Sequence, residues 1–442
     1  MIKGIFFAVS LILITTSFST HAELFPFEDG TTATFAAGVL SDEGKYAVAW
    51  YNGSVGGWIV DNLGREYSPI QANASIVGIE PSQILALADG QFLIVHNKLN
   101  DDGSGGYGQL YNADGTLLGQ TVYLTPKVDE EPTITGDVWS ASLADGNVVV
   151  AWTEHVLSPD DGHAGYSNVY AQIYSPSLLR IGNVIEVSTD HSGRGWGKIK
   201  NDVRVAAFDS GDFVVTFQAK KKFYGRRFIH SGYPKTDREF TIGNHAQADL
   251  ESRILALSNS RYVFAWSEGG GHRPLKSYLQ VLNGSDQRLG NPVVLNHKGR
   301  TAVETGSTAV EIESLTKRST RHFWVTYSYQ KPGRYAYKLA TQPYRLEMDD
   351  TLTSLLNHEG MELADNVSGY YDDTENNIPR RKGLLLNYRS NLYVSIYNGT
   401  VDISDHDWFE GLLGEQFGSG GCHDLVESWT ELCPVAAPTF KE

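Results

Sequence analysis

A short apolar motif recurs seven times along the chain, and it limits the possible folds more than any other feature of the sequence. Each copy is a run of β-branched and aromatic residues, and most copies follow a tight-turn sequence such as Ala-Asp-Gly. Such runs are typical of buried strands entered through hairpin turns. A motif repeated at this scale predicts an array of small β units. The copies begin at Tyr46, Phe92, Val148, Phe213, Tyr262, Phe323 and Tyr393.

The second copy shows one complete unit. Strand-like segments begin at Ile84, Phe92, Tyr107 and Gly119, and Ala-Asp-Gly turns separate the first from the second and the third from the fourth. Four short antiparallel strands per unit, repeated at intervals of roughly 45 to 70 residues, are typical of a β-propeller. We therefore predict an all-β fold, a seven-bladed β-propeller of four-stranded antiparallel blades followed by a short C-terminal tail.

The N-terminal segment has the pattern of a secretory signal peptide. Lys3 precedes the apolar run Gly4–Ile14, which is too short to span a bilayer, and small residues follow as far as Ala22. The protein is therefore expected to be secreted, into the periplasm or the extracellular space. The predicted division of the chain is residues 1–22 as signal peptide, residues 23–401 as propeller and residues 402–442 as tail.

Cysteine content and net charge restrict the classes of partner. Cys422 and Cys433 both lie in the predicted tail, and in an oxidising compartment we expect them to form one disulfide. A net charge of −16 and a pI near 5.3 argue against general nucleic-acid binding. No later segment reaches the roughly 20 apolar residues of a membrane helix. We expect a monomer that binds neither nucleic acid nor membrane.

The predicted strand order divides the connections between two faces. The turns between first and second and between third and fourth strands lie on one face, the turn face. The remaining loops and the crossovers between units lie on the other, the loop face, where many histidines and cationic residues fall. A cationic rim on an acidic protein suits an anionic ligand. The substrate-binding residues predicted there are His163, His191, Arg194, Trp196, Lys222, Arg226, His272 and Arg273.

His96 departs from the repeat. It occupies a column in which the other six copies have tryptophan, phenylalanine or tyrosine. It can be a histidine packed between blades and hydrogen-bonded to backbone. Alternatively, it projects from the end of its strand into the mouth of the propeller as an acid, a base or a neutralising charge. Because it differs from every other copy, it is the first catalytic candidate.

A polar loop between His155 and His163 is a second candidate site. Asp160 and Asp161 lie within it, and two histidines with two aspartates could bind zinc or calcium. The spacing matches no dedicated metal motif, so solvated loop residues are the alternative. The identity of any metal is unknown at this stage.

The densest basic run extends from Lys220 to Arg227. It can be a solvated run of charges, but Phe223 and Tyr224 interrupt it. On a strand, Arg226 and Arg227 should point to opposite sides, so that one guanidinium can pair with a carboxylate or sulfate. Tyr224 matches tyrosines in other copies, and a structural role is the alternative for it.

Motifs of several other enzyme classes are absent from the sequence. It contains no sialidase Asp-box, nucleophile elbow, P-loop or dinucleotide fingerprint. Glu154 and Glu268 both follow copies of the apolar motif, but nothing in the sequence sets the separation that a glycoside hydrolase requires.

Two resemblances can be stated from these motifs. The sequence Leu143-Ala-Asp-Gly-Asn-Val-Val-Val-Ala-Trp152, with Val169-Tyr-Ala-Gln-Ile-Tyr174, resembles the propeller repeats of large secreted bacterial proteins. The chain is also similar to the seven-bladed polysaccharide lyases that cleave ulvan, a sulfated polysaccharide containing uronic acid. That similarity implies an exported enzyme with histidine, tyrosine and arginine in the propeller mouth. The residues of matching type are His96, His155, His163, Tyr224 and Arg227.

The function expected from these residues is β-elimination on an anionic polysaccharide that contains uronate. Arginine or histidine would neutralise the sugar carboxylate, and histidine or tyrosine would exchange protons. No cofactor is required, although a structural calcium or zinc ion is left open. The alternative is a non-catalytic propeller that binds glycans or proteins. The predicted catalytic residues are His96, His155, Tyr224 and Arg227.

Overall fold

The computed structural model describes the part of the chain that contains the repeated motif. The described residues are 23–26, 34–41, 45–51, 55–60, 66–73, 80–98, 104–128, 133–157, 164–189, 200–220, 222–244, 252–258, 260–270, 273–295, 310–317, 319–330, 337–355, 361–364, 382–387, 391–397 and 400–405.

These residues form antiparallel sheets in which most neighbouring strands follow one another in the chain. Sheet 1 contains β2 (Thr34–Ser41), β3 (Lys45–Tyr51), β4 (Val55–Val60) and β5 (Glu66–Pro69). Sheet 2 contains β6 (Glu80–Ala86), β7 (Phe92–Lys98), β8 (Gly105–Tyr111) and β9 (Leu117–Tyr123). Sheet 3 contains β10 (Thr133–Ser142), β11 (Val148–Leu157), β12 (Ala164–Tyr174) and β13 (Arg180–Glu186). Sheet 4 contains β14 (Lys200–Ala207), β15 (Phe213–Ala219), β16 (Lys222–Phe228) and β17 (Phe240–Asn244).

The remaining strands complete the molecule. Sheet 5 contains β18 (Ser252–Ser258), β19 (Arg261–Gly270), β20 (Arg273–Asn283) and β21 (Arg288–Val294). Sheet 6 contains β22 (Val310–Lys317), β23 (His322–Gln330), β24 (Tyr337–Leu346), β25 (Leu352–Ser354) and β26 (Met361–Ala364), which also pairs with β24. The closing sheet contains β27 (Lys382–Asn387), β28 (Asn391–Tyr397), β29 (Thr400–Asp405) and β1 (Glu23–Pro26).

The sheets are arranged as blades around a ring. The first strand of each sheet contacts the first strand of the next, from β2 onward to β27, and β27 contacts β2. An all-β propeller with four-stranded antiparallel blades is therefore confirmed. The prediction of seven such blades is corrected, because among the described residues six sheets have four strands and sheet 6 carries a fifth strand. Apart from one three-residue 3-10 turn at Ala88–Gly90, the described residues contain no helix, and hence no helix able to cross a membrane.

Each copy of the apolar motif forms the second strand of its sheet. Alternate side chains of that strand pack against the sheets on either side, as the two-residue period of a strand requires. In β11, Val149 and Ala151 pack toward sheet 4, whereas Val150 and Trp152 pack toward sheet 2. The hydrophobic core thus consists of layers between neighbouring sheets, and burying both faces explains why the motif is almost continuously apolar.

Both ends of the chain contribute to the closing sheet. Residues Glu23–Pro26 pair with Thr400–Ile403 of the last strand, so the N-terminal segment supplies the fourth strand. The last described strand ends at Asp405, four residues beyond the boundary expected at residue 401. The signal peptide, the rest of the predicted tail and the Cys422–Cys433 pair lie outside the described residues and stay predictions.

Candidate functional site

A cleft of about 500 Å³ opens between sheets 3 and 4. Sheet 3 contributes Thr189, which follows its last strand, and sheet 4 contributes the rest of the lining. Apolar rings, cations and carboxylates all occur along it, a composition suited to a polar ligand with a flat apolar face. The lining residues are Thr189, Lys200, Phe217, Ala219, Lys220, Tyr224, Asp237, Arg238 and Glu239.

An aromatic pair lies within the cleft. Phe217 of β15 is paired in register with Tyr224 of β16, and their rings stack at a centroid distance of 5.8 Å and an interplanar angle of 22°. Phe217 is buried, whereas Tyr224 is half-buried and lines the cleft. A stacked pair of this kind holds the tyrosine ring rigidly and leaves part of its surface for a ligand.

The same pair recurs in neighbouring sheets. Trp152 lies against Tyr170 in a tilted arrangement in sheet 3, and Trp266 stacks on Tyr278 in sheet 5. The structural interpretation of Tyr224 is therefore supported, because the repeat places an aromatic pair at this point of several blades. In sheet 4 the tyrosine also borders the cleft, so that an additional role at this position is compatible with the structural one.

Lys200 brings a positive charge to the cleft. It is the first residue of β14, it is only 5% exposed, and its ammonium donates to the Ser167 carbonyl at 2.5 Å. A buried ammonium beside a cleft is suited to neutralising the negative charge of a bound ligand. No motif in the sequence singles out Lys200. A register shift between Asn201 and Arg204 breaks the two-residue alternation at the start of the strand, so the sequence pattern could not orient it.

His155 and Lys200 both contact Ser167. The Nδ1 of His155 is 2.6 Å from the Oγ of Ser167, the residue whose carbonyl accepts from Lys200. Burial lowers the pKa of His155 below its ordinary value, and the nearby Asp137 opposes that shift. The imidazole is therefore neutral at pH 7 and is able to accept a proton. A side chain at Gly136 would come within 2.3 Å of Nε2, so this position requires glycine.

A charged wall borders the cleft on the side of the last strand of sheet 4. Asp237, Arg238 and Glu239 immediately precede β17. The Glu239 carboxylate accepts hydrogen bonds from the backbone N–H of Thr189 and, at 2.7 Å, from its hydroxyl. This contact joins the wall to sheet 3, so the cleft has protein on both sides.

Arg226 and Arg227 point to opposite sides of β16, as predicted, but both are buried. Arg226 donates to the Glu186 and Val187 carbonyls of sheet 3. Arg227 donates to the Gly284 carbonyl of sheet 5 at 2.7 Å. The expectation that both lie on the loop face is corrected, because β16 runs from the loop face at Lys222 to the turn face at Phe228 and both arginines are near its end.

Arg227 is further enclosed at the turn face. Its guanidinium lies 3.8 Å from Asp212 and 3.9 Å from Asp286, and it stacks over the Phe208 ring at 4.0 Å. Only 2% of the residue is exposed. The geometry therefore favours a role for Arg227 in joining sheets 4 and 5 rather than in binding a substrate.

His96 is fully buried in the inter-sheet layer. It belongs to the side of β7 that carries Phe92 and Ile94, which pack toward sheet 1, and its exposure is 0%. Neither ring nitrogen has a hydrogen-bond partner among the described residues. Burial lowers the pKa of His96 to about 3. The packed interpretation thus agrees with its position, whereas the expected hydrogen bond to backbone is not seen in the described part of the chain.

None of the other predicted binding residues lines the cleft in the part of the chain that the structure describes. Lys222 is exposed at the start of β16. Arg273 begins β20, and its side chain is not described. Among the described residues no group of three or more His, Cys, Asp and Glu side chains could hold a metal ion. The predicted residues outside the described part of the chain are His163, His191, Arg194, Trp196 and His272.

The fold is similar to that of several proteins of known structure. One is a protein of unknown function from Dyadobacter fermentans, with 14% identity, a TM-score of 0.45, and coverage of 70% of this chain and 96% of that protein. Another is an ulvan lyase of a new polysaccharide lyase family, with 11% identity, a TM-score of 0.42, and coverage of 76% and 81%.

A third is the α-L-arabinofuranosidase from Fusarium graminearum, with 10% identity, a TM-score of 0.43, and coverage of 78% of this chain and 97% of that protein. No family model matches the chain, and no curated protein sequence matches it. These similarities assign the chain to no family.

Proposed function

We propose that the chain binds an anionic, uronate-containing polysaccharide in the cleft between sheets 3 and 4 and cleaves it by β-elimination. The observation that carries this proposal is that Lys200 and Tyr224 line the same cleft. His155 contacts the hydroxyl of Ser167, whose carbonyl accepts a hydrogen bond from Lys200. Secretion of the protein is part of the same proposal, since such polymers occur outside the cell.

The residues of the cleft can be given roles in the reaction. Elimination requires that the uronate carboxylate be neutralised, so that the proton on the adjacent C5 becomes acidic. Lys200 is placed to do this, in the role that the sequence analysis gave to Arg227. Tyr224 would contact the sugar and exchange a proton with it, and His155, neutral at pH 7, would serve as the second proton-transfer group. The electron pair of the C5–H bond forms the C4–C5 double bond, and the C4–O bond breaks.

A non-catalytic glycan-binding propeller is the second candidate. The aromatic pairs Trp152–Tyr170, Phe217–Tyr224 and Trp266–Tyr278 recur from sheet to sheet, as the contact residues of a lectin would. Lys200 and the charged wall, however, are found at the junction of sheets 3 and 4. That asymmetry favours a single reactive site over repeated binding sites.

The proposal is tested by the ultraviolet absorbance of the unsaturated uronate product. The purified protein is incubated with ulvan, alginate, pectate and glycosaminoglycans. We expect absorbance to rise with one of these substrates and the rate to fall at least about 100-fold in Lys200→Met, because an unneutralised carboxylate opposes carbanion formation. The rate should also fall in Tyr224→Phe, because the ring then lacks the hydroxyl that exchanges a proton; Tyr233→Phe, a change on the turn face where Tyr233 is 71% exposed, is the matched control. No absorbance rise with any polymer would refute the lyase and favour the binding module.

A further inference from the structure

The wall of the cleft is an irregular form of the first half of a fourth strand. In sheets 2, 3, 5 and 6 a short hydrogen-bonded turn follows the third strand, and the fourth strand begins at the next residue. These turns end at Thr116, Leu179, Gln287 and Thr351. In sheet 4 the equivalent turn ends at Tyr233 and Pro234 bridges Phe228, but the regular strand β17 does not begin until Phe240. Tyr224 pairs with Thr241, 17 residues later, where Tyr170 of sheet 3 pairs with Glu186, 16 residues later, so sheet 4 has one residue more in this span. Residues 234–239, the wall segment, therefore take the place of the first half of the strand, and they include all three charged residues of the wall.

The residue that holds the wall segment also departs from the repeat. Sheets 2, 3 and 5 carry a buried glutamine in the third strand. Each glutamine amide donates to the carbonyl of the next residue and to a carbonyl of the fourth strand. These residues are Gln109, Gln172 and Gln280. In the same column, two residues after the tyrosine of the aromatic pair, sheet 4 has Arg226.

Arginine at this position reaches farther than glutamine. Its Nε donates to the Thr236 carbonyl at 3.3 Å, and one terminal nitrogen donates to the Asp237 carbonyl at 3.4 Å. The other terminal nitrogen donates to the Glu186 and Val187 carbonyls at 3.0 and 3.1 Å. One planar, buried guanidinium thus joins the wall segment to sheet 3, and its rigid fork fixes the geometry of both.

We infer that Arg226 is a positioning residue that holds residues 234–239 as a wall, and that the irregular course of this wall segment shapes the cleft between sheets 3 and 4. The Glu239–Thr189 contact closes the same wall at its other end. The nature of the ligand rests on the proposed function, but the architecture of the wall does not. This role replaces the substrate contact predicted for Arg226, since its donors are directed at backbone carbonyls.

Limited proteolysis tests the position of the wall directly. Lys235 and Arg238 are trypsin sites within the wall segment. In Arg226→Gln, which restores the residue of the other sheets, we expect cleavage at these sites to accelerate at least about tenfold, because hydrogen bonds from a charged donor are lost. Thr189→Val, an exposed change that does not threaten folding, should accelerate cleavage to a smaller extent.

Arg253→Gln is the matched control. Arg253 also donates to backbone carbonyls of two sheets, those of Glu313 and Ser252, but away from the wall segment. Equal cleavage at Lys235 and Arg238 in the Arg226 and Arg253 variants would overturn the inference.

Binding of a glucuronate-containing oligosaccharide gives the second readout. We expect Arg226→Gln to weaken binding about tenfold and to raise KM with little change in kcat, because the wall shapes the cleft without taking part in the reaction. A fall in kcat at unchanged KM would contradict a positioning role. If the wild type neither binds nor cleaves any saccharide while trypsin sensitivity changes as expected, the proposed function fails and the inference about the wall stands.

Discussion

His96 illustrates how a single residue can conflict with the repeat that contains it. Its column requires a large apolar ring between two sheets, and histidine fills the space but leaves two ring nitrogens without partners in the described structure. Burying a polar group without a hydrogen bond costs free energy, and burying its charged form costs more. The residue is therefore neutral in the folded state and destabilising in acid.

Replacing His96 by phenylalanine should remove a pH dependence of stability. The pKa of His96 is about 3 in the folded state, below the ordinary value of 6.5. Between these values the unfolded chain binds the proton and the folded protein does not. Stability therefore falls as the pH is lowered through this window, by up to about 1.4 kcal/mol per pH unit. Urea unfolding at pH 7 and pH 5 measures the effect.

In His96→Phe we expect greater stability at both pH values and a smaller loss between them. The exposed His230 supplies the control, because His230→Gln should leave the pH dependence unchanged. If His96→Phe destabilises the protein and keeps the full pH dependence, then His96 has a partner that stabilises it.

In the basic run of sheet 4, the sequence predicts on which side of the strand each residue lies but does not bring the charged residues to one site. Alternation along a strand correctly placed Arg226 and Arg227 on opposite sides. The run does not form one cluster, because a strand rises about 3.3 Å per residue and Lys222 and Arg227 are therefore about 16 Å apart. The alignment of Arg226 with Gln172 in the sequence indicates a structural donor. The sequence does not give the orientation of Lys200, because a register shift between Asn201 and Arg204 separates it from the regular part of its strand.

At the scale of elements, the fourth strand of the closing sheet comes from the opposite end of the chain. β1 pairs with β29 over four residues, so the first and last described strands lie side by side. The repeat predicted the second strands of all sheets, because each is a buried apolar run. It could not predict β26, a four-residue strand whose position depends on pairing with β24 rather than on its own pattern.

Deleting residues 23–26 should weaken the closure of the ring. Removing β1 exposes the edge of β29, and each lost backbone hydrogen bond contributes about 0.5–1.5 kcal/mol. We expect the free energy of unfolding to fall by at least about 2 kcal/mol and the protein to aggregate more readily. Denaturant unfolding, compared with a chain that begins at Glu23, measures the difference. Equal stability of the two chains would show that β1 does not contribute to closure.

At the scale of the whole molecule, the repeat gives the blades a common structure, and the junction between sheets 3 and 4 contains residues that depart from the repeat. Between sheets 3 and 4 an irregular fourth strand, a buried lysine and a half-buried tyrosine lie together. The sequence predicted the propeller, the tyrosine and His155, because each follows from a local pattern. It could not show that Lys200, Ser167 and His155 meet, since that contact joins strands from two sheets.

A crystal structure of Tyr224→Phe bound to a uronate oligosaccharide tests the central claim most directly. This variant keeps Lys200 and the wall but slows the reaction, so that the substrate survives. We predict electron density in the cleft between sheets 3 and 4, with a sugar carboxylate within hydrogen-bonding distance of the Lys200 ammonium and a ring against residue 224. An oligosaccharide bound elsewhere on the propeller, with this cleft empty, would contradict the account.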